Sequence, residues 1–149
     1  MDSGLTKGWS LHPQLAQDTV PVGDLPLARA LLTNDANYPW LILVPRLPGL
    51  VELIDLEENA QVQLLGEIAA TARALKGITR CDKLNIAALG NQVPQLHVHV
   101  IARRRTDAAW PKPVWGVQPP LAYKEGQQAA LLNSLRQLLK SSGLAGIDR

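Results

Sequence analysis

The chain has 149 residues, of which 46% are hydrophobic and 19% are charged, and its formal net charge at pH 7 is +2. This composition is typical of a globular domain and disfavours a nucleic-acid-binding protein, which normally has a clustered basic face. The one cysteine, Cys81, excludes an internal disulfide and fits a reducing compartment. No apolar run is long enough to span a bilayer, and residues 1–10 lack the apolar core of a signal peptide. We therefore expect a cytoplasmic protein without nucleic-acid or membrane partners.

The amino-terminal part predicts a short helix followed by an antiparallel meander of strands. A helix is expected near residues 11–16, because proline suits the first helical turn. Residues 20–33 contain two apolar runs separated by glycine, aspartate and proline, which predicts a strand, a turn and a strand. A polar turn at residues 34–37 leads into a third strand over residues 38–44, closed by Pro45.

The clearest element is a long helix in the middle of the chain. Asp55 is expected to be its N-cap, with Glu58 completing a capping box three residues later. Gly77 is expected to end the helix. Its apolar residues recur at the spacing of one helix face: Leu56, Ala60, Leu64, Ile68, Ala72 and Leu75.

Two strands, an ordered loop and a last helix are predicted in the carboxyl-terminal part. The strands are expected over residues 84–89 and 95–102, and Arg103–Arg105 is interpreted as the solvated end of the second. Residues 110–116 contain two prolines and two tryptophans, which predicts an aromatic-rich loop. A helix over residues 124–140 is expected to bury one face, formed by Leu131, Leu132, Leu135, Leu138 and Leu139.

The most informative segment is residues 95–100, where polar and apolar residues alternate. Successive side chains of a strand point to opposite faces, so the three apolar residues are expected to enter the core. Gln95, His97 and His99 would then stand in a row on the other face, about 7 Å apart. Imidazole near pH 7 can be a neutral nucleophile or a charged donor to phosphate oxygens. The row therefore predicts a phosphate-directed site.

Two other interpretations of this row are weighed. Two histidines on a strand can form half of a metal site, but such sites need a third or fourth ligand. The remaining histidine, His12, is distant in sequence and is assigned a structural role next to Pro13. No cysteine or acidic residue has a familiar ligand spacing, so no metal and no cofactor is predicted. Alternatively, the row is an exposed polar stripe on an ordinary sheet.

The segment resembles the signature of the histidine-triad (HIT) family, in which three histidines alternate with apolar residues. Gly90 lies five residues before the first triad position, as the glycine of the family does. Gln95 stands at that first position in place of histidine. His97 stands at the middle position, which is the nucleophile in the family, and His99 at the third.

The resemblance extends to polar residues outside the segment. Asn85 lies where such proteins carry an asparagine near the substrate phosphate, and Asn34 with Asp35 resembles the position that binds ribose hydroxyls. Trp110 and the following proline resemble a loop that some branches pass toward the site of the second subunit. Each of these residues also has an ordinary interpretation as a turn, cap or core-covering residue. The implied phosphate contacts are Asn85, Asn91, Gln92 and His99.

The fold implied by the elements and the resemblance is a single α+β domain over residues 1–149. It is a HIT-like antiparallel sheet of about five strands with one long central helix and a C-terminal helix. The core is expected over residues 20–111, with a C-terminal loop and helix over residues 112–149. The resemblance also implies a homodimer joined through a strand and the long helix.

The implied function is that of a nucleotide hydrolase or transferase acting at an α-phosphate. The implied substrate is a dinucleoside polyphosphate, such as a diadenosine polyphosphate, or a nucleoside monophosphate ester or amidate. The implied intermediate is a nucleotidyl-histidine on His97. Because Gln95 cannot become cationic near pH 7, a nucleotide-binding protein with little or no turnover stays open as an alternative. A protein-interaction module is the third possibility, and it leaves the polar row without a purpose.

Overall fold

The computed structural model describes residues 7–147. The prediction that residues 1–10 are not a signal peptide therefore falls mostly outside the described residues. Five strands and three α-helices are found within the described residues. The strands are β1 (Thr19–Asp24), β2 (Ala28–Thr33), β3 (Trp40–Pro45), β4 (Lys83–Ala87) and β5 (Val98–Arg103). The helices are α1 (Pro13–Asp18), α2 (Glu58–Thr79) and α3 (Gln127–Leu139).

The five strands form an antiparallel sheet in the order β1-β2-β3-β5-β4. The first three strands are neighbours along the chain and form the predicted meander, while β5 pairs with both β3 and β4. This arrangement confirms the predicted α+β class, with one long central helix and a C-terminal helix. Among the described residues, no helix is at once long enough and apolar enough to cross a bilayer.

The main core lies between one face of the sheet and helices α2 and α3. Alternate residues of the central strand β3, Leu41 and Leu43, point into it. Leu96, Val98 and Val100 are at most 4% exposed in the same core, which confirms their predicted direction. Burying one such side chain stabilises the fold by roughly 1.5–3 kcal/mol. The side chains between them consequently face away from α2 and α3.

The long helix begins later than predicted. Asp55 belongs to a separate 3₁₀ turn, Leu53–Asp55, and is therefore not the N-cap of α2. Its Oδ2 accepts hydrogen bonds from the backbone N–H groups of Val51 (3.1 Å) and Glu52 (2.8 Å). Because these nearer donors occupy the carboxylate, Asp55 does not cap α2, which starts three residues further on, at Glu58.

The long helix also runs past its predicted end. Gly77 is helical, and α2 ends at Thr79. The stop comes from Arg80, which adopts the left-handed conformation with φ 52° and donates its N–H to the carbonyl of Lys76. A glycine inside a helix costs about 1 kcal/mol but does not end it, whereas a left-handed residue does.

Strand β5 begins at Val98, three residues later than predicted. The backbone N–H of Leu96 donates to the carbonyl of Leu50 (3.0 Å), which lies in the connection before α2 and not in a strand. The residues before Val98 therefore leave the sheet while keeping the alternation of their side chains.

The C-terminal helix buries a narrower face than predicted. Leu135 and Leu139 are at most 1% exposed, and Leu131 and Leu132 pack partly against the core. Leu138 is 50% exposed, so its inclusion in the buried face was wrong. A leucine three residues after Leu135 lies at the edge of the face that contacts the sheet and α2.

Candidate active site

His97 and His99 lie side by side on the sheet face that points away from α2 and α3. Their ring centroids are 4.9 Å apart, and the ring planes are inclined by 73°. His99 is part of β5 and pairs with Ile42 of β3, while His97 immediately precedes the strand. Both are buried, at 7% and 6% exposed. The predicted meeting of the two imidazoles is confirmed.

A hydrogen bond to the main chain fixes the tautomer of neutral His97. Its Nδ1 lies 2.7 Å from the carbonyl oxygen of Gln95. A carbonyl oxygen only accepts hydrogen bonds, so Nδ1 carries the proton and Nε2 keeps its lone pair. An imidazole with an unprotonated Nε2 is the form that attacks electrophilic phosphorus.

His99 is held in the opposite tautomer. The indole Nε1 of Trp40 donates to His99 Nδ1 at 2.9 Å. Because indole N–H is only a donor, Nδ1 is unprotonated and the proton of the neutral ring lies on Nε2. Burial and the neighbouring charge of His97 lower the pKa of His99 from 6.5 to about 4. At pH 7 His99 therefore offers one N–H donor and no positive charge.

The lowered pKa of His99 predicts that acid weakens the fold. Between its unfolded pKa of 6.5 and its folded pKa of about 4, the unfolded chain binds a proton that the folded chain does not. The free energy of unfolding should therefore decrease as the pH is lowered through this window, by about 2 kcal/mol from pH 7 to pH 5. Urea unfolding at the two pH values measures this. The loss should disappear in His99→Gln and persist in His12→Gln, and an unchanged loss in His99→Gln would assign it to other groups.

Two tryptophans, Trp40 and Trp115, pack against His99, and the sequence analysis selected neither for the site. The ring of Trp115 lies edge-on, 5.0 Å from His99 and 5.7 Å from Trp40. Trp115 belongs to the predicted ordered loop, which Val114 anchors by packing against Tyr38. The alternation of β3 was a usable signal, since it puts Trp40 on the same face as Ile42, next to His99. Aromatic pairs of this kind contribute about 0.5–1.5 kcal/mol each beyond burial.

The side chain of Gln95 does not join the two imidazoles. Its Oε1 accepts the backbone N–H of His12, and its Nε2 donates to the carbonyl of Ser10, each at 2.9 Å. The predicted row of three side chains is therefore reduced to two histidines. His12 has the structural role expected of it, because its Nδ1 accepts the N–H of Gln14 at the start of α1 (3.1 Å).

The paired imidazoles on a five-stranded sheet have counterparts among known proteins. The family model described as the HIT domain matches residues 14–106. The chain belongs to the HIT domain family. No curated protein sequence matches it, so the comparison rests on this family and on solved structures.

Three solved HIT structures are similar to this chain over nearly its whole length. It is 61% identical to a histidine triad protein from Bradyrhizobium japonicum, with 87% of this chain and 96% of that chain covered and a TM-score of 0.85. It is 47% identical to one from Marinobacter aquaeolei, with 92% and 98% covered and a TM-score of 0.86. A histidine triad protein from Sinorhizobium meliloti is 40% identical, with 90% and 99% covered and a TM-score of 0.87.

In this HIT protein Asn85 lies on the same sheet face as the histidines. It pairs with Ile101, one step along that face from the Ala87–His99 pair. Its Oδ1 accepts a hydrogen bond from Arg103 Nη1 at 2.8 Å. Since a guanidinium group only donates, the amide is oriented with Oδ1 toward Arg103 and its Nδ2 donors away from it.

Arg103 is a buried structural residue, so its interpretation as a solvated strand end was wrong. It is 1% exposed, while Arg104 and Arg105 are exposed. Its guanidinium makes two hydrogen bonds to Asp107, of 2.8 and 3.0 Å, and one to the carbonyl of Lys112 (2.8 Å). A buried charge is tolerated when it is paired and its donors are used, as they are here.

Trp110 is not next to the imidazoles. The guanidinium carbon of Arg103 lies 5.7 Å from the ring centroid of Trp110 and 5.6 Å from the ring centroid of Tyr38. Trp110 therefore helps to bury Arg103 and to hold the loop. Of the two loop tryptophans, Trp115 is the one in contact with His99.

The predicted ribose residues lie in the turn after β2. Asp35 is 8% exposed, and its Oδ1 accepts the N–H groups of Asn37 (2.9 Å) and Leu121 (3.2 Å). Asn34 is exposed, and its Oδ1 accepts from Gln128 (2.9 Å). These bonds tie the C-terminal part of the chain to the turn.

The loop between β4 and β5 borders a groove that ends at His97. Asn91 and Gln92 are exposed in this loop, next to Gly90, whose φ of 74° lies in the left-handed region that favours glycine. The groove has a volume of about 230 Å³, and its lining includes Glu52, Leu53, Ile54, Leu89, Gly90 and His97. Across residues 7–147, no three His, Cys, Asp or Glu side chains meet in a group that could hold a metal ion.

Proposed function

We propose that this HIT protein is a nucleotide hydrolase or nucleotidyl transferase in which His97 attacks an α-phosphate. The observation that carries the proposal is the His97 tautomer, with Nδ1–H bound to the Gln95 carbonyl and Nε2 unprotonated beside His99. The Nε2 lone pair forms a bond to phosphorus while the bond to the leaving group breaks. Water then attacks phosphorus, the P–N bond breaks, and the imidazole is regenerated.

Neutral donors are proposed to bind the phosphate oxygens. Nε2–H of His99 and Nδ2 of Asn85 face the same side of the sheet as His97 and supply two such donors. Asn91 and Gln92 would complete them from the β4–β5 loop. Phosphoryl transfer depends mainly on positioning and on donors aimed at the developing charge, so uncharged groups of this kind are suited to it.

The proposed substrate is a dinucleoside polyphosphate, with diadenosine polyphosphates as one class, or a nucleoside monophosphate ester or amidate. The ribose is proposed to bind at Asp35 and Asn34, on the side of the turn after β2. The groove that ends at His97 would take the leaving group, since it opens between the β4–β5 loop and the segment before α2. The buried free thiol of Cys81 fits a reducing, cytoplasmic setting.

The test is to trap the covalent intermediate. The protein is mixed with adenylated and guanylated esters, amidates and dinucleoside polyphosphates, quenched at alkaline pH, and weighed intact. An added nucleoside monophosphate is expected in the wild-type chain and in His12→Ala, and not in His97→Ala. Tight nucleotide binding without an adduct and without turnover would identify a nucleotide-binding protein instead.

The chain is also proposed to form a homodimer through β4 and α2. β4 is an edge strand, and Ile86 on it and Leu89 just after it are 50% and 51% exposed. Val62 and Leu65 on α2 are 72% and 67% exposed. An apolar edge strand next to an apolar helix face is normally covered by a partner.

Light scattering at micromolar concentration is expected to give twice the monomer mass for the wild type. Leu65→Glu should give the monomer mass, because the carboxylate would be buried without a partner. Leu138→Glu changes a leucine of similar exposure on α3 and should leave the mass unchanged. A monomeric wild type would contradict the proposed dimer.

A further inference from the structure

We propose that Gln95 is a positioning residue whose carboxamide fixes residues 8–12 as one wall of the nucleotide site, and that it takes no part in proton transfer. The inference rests on the proposed function for what the wall contacts. The contact between the Gln95 side chain and this segment, called the tie below, is present in the chain without nucleotide. It is also the reason that glutamine suits this first triad position, where the family has histidine.

The carboxamide of Gln95 makes the hydrogen bonds to this segment that a peptide group of a neighbouring strand would make. Its Nε2 donates to the carbonyl of Ser10 and its Oε1 accepts the N–H of His12, each at 2.9 Å. In an extended chain, the C=O of one residue and the N–H of the residue two further on point to the same side. A primary amide presents N–H and O on one edge and matches that pair. An imidazole has its two nitrogens on diverging sides of the ring and cannot serve both groups at once.

The tied segment covers the sheet next to the imidazoles. Trp9 and Leu11 pack against the buried cluster that contains Ile42 and Val44. Ile42 is the residue that pairs with His99 across the β3–β5 ladder. The segment therefore stands beside the imidazole pair, on the side of the sheet that leads to β2.

The segment is held at a second point by Arg29. The guanidinium carbon of Arg29 lies 5.1 Å from the ring centroid of Trp9, and its Nε binds Asp24 at 2.8 Å. The main-chain carbonyl of Gln95 meanwhile accepts the Nδ1–H of His97. One residue thus connects the wall, through its side chain, to the nucleophile, through its backbone.

Hydrogen exchange measured by NMR without nucleotide tests the tie directly. In Gln95→Ala the amide of His12 loses its acceptor, so its exchange should accelerate about tenfold or more. Gln95→Glu keeps an acceptor for this N–H but loses the donor to Ser10, and should show a smaller acceleration. Gln137→Ala, at an exposed position of α3, is the matched control and should leave His12 unchanged. Unchanged exchange in Gln95→Ala would overturn the proposal.

Kinetics with the substrate that forms the adduct separate positioning from catalysis. Gln95→Ala should raise KM about tenfold with a smaller change in kcat and an unshifted pH profile. Trp9→Ala should act in the same way, and the double variant should be no worse than the more impaired single variant, because both remove one wall. Additive effects, or a loss of kcat with a shifted pH profile, would identify a direct catalytic role and overturn the proposal.

Failure of the proposed function is distinguishable from failure of this inference. If the wild type forms no adduct and binds no nucleotide, the function is wrong, yet the exchange of His12 still decides whether Gln95 ties the segment. If the adduct forms and His12 exchange is the same in Gln95→Ala and wild type, the function stands and the positioning role is wrong.

Discussion

Replacing His97 with alanine is expected to lower kcat by about 10³-fold or more while nucleotide affinity falls far less. The variant removes the Nε2 that is proposed to attack phosphorus, and the neighbouring imidazole cannot replace it. His99 Nδ1 is occupied by the indole N–H of Trp40, and its Nε2 carries the proton. Losing a nucleophile removes the covalent route altogether, and the activity that remains comes from binding and positioning alone.

Steady-state kinetics and calorimetric titration with a nucleoside monophosphate measure the two quantities separately. Gln137→Ala, at an exposed position of α3, is the control and should keep wild-type kcat. A His97→Ala variant with wild-type kcat would show that the attacking group lies elsewhere.

Arg103→Met is expected to lower the free energy of unfolding by about 3–5 kcal/mol. The variant leaves the carboxylate of Asp107, whose side chain is 7% exposed, without its ion-pair partner. It also removes the donors to Asn85 and to the carbonyl of Lys112. Removing one member of a buried pair is more costly than removing both, because an uncompensated charge stays buried.

Urea unfolding followed by circular dichroism measures the loss. Arg105→Met is the matched control, since this neighbouring arginine is exposed, and its effect should stay within about 0.5 kcal/mol. A double variant, Arg103→Met with Asp107→Asn, should recover part of the stability because no charge is left alone and the amide oxygen still accepts the loop N–H groups. Equal stability of Arg103→Met and Arg105→Met would mean that the buried pair contributes nothing.

The loop that carries Trp115 connects the buried Arg103–Asp107 pair to the site. Asp107 accepts hydrogen bonds from Arg103 and from the backbone N–H groups of Ala109 and Trp110, so it holds the start of the loop. Arg103→Met should therefore also loosen the contact between Trp115 and His99. The ring signals of His99 in an NMR spectrum should shift in Arg103→Met and stay in place in Arg105→Met.

Hydrophobic alternation predicted the direction of side chains well because it follows from local backbone geometry. Leu96 and Val98 enter the core and His97 faces away from it, even though β5 begins only at Val98. The capping prediction for α2 failed for an equally local reason. Asp55 accepts the N–H groups of Val51 and Glu52, which precede it, and sequence spacing does not show that a carboxylate binds donors before it instead of those of a following helix.

The sequence by itself determined the α+β class, the sheet face of His97 and His99, and the likeness to the HIT family. Periodicity and motif spacing suffice for these, because neighbouring residues on one strand have a constant relation to each other. Only the tertiary structure decided what each polar group binds. Gln95 meets Ser10 and His12 across more than 80 residues of chain, and Trp40 meets His99 across 59. Such partners are set by how distant segments pack, and no local pattern in the sequence encodes that packing.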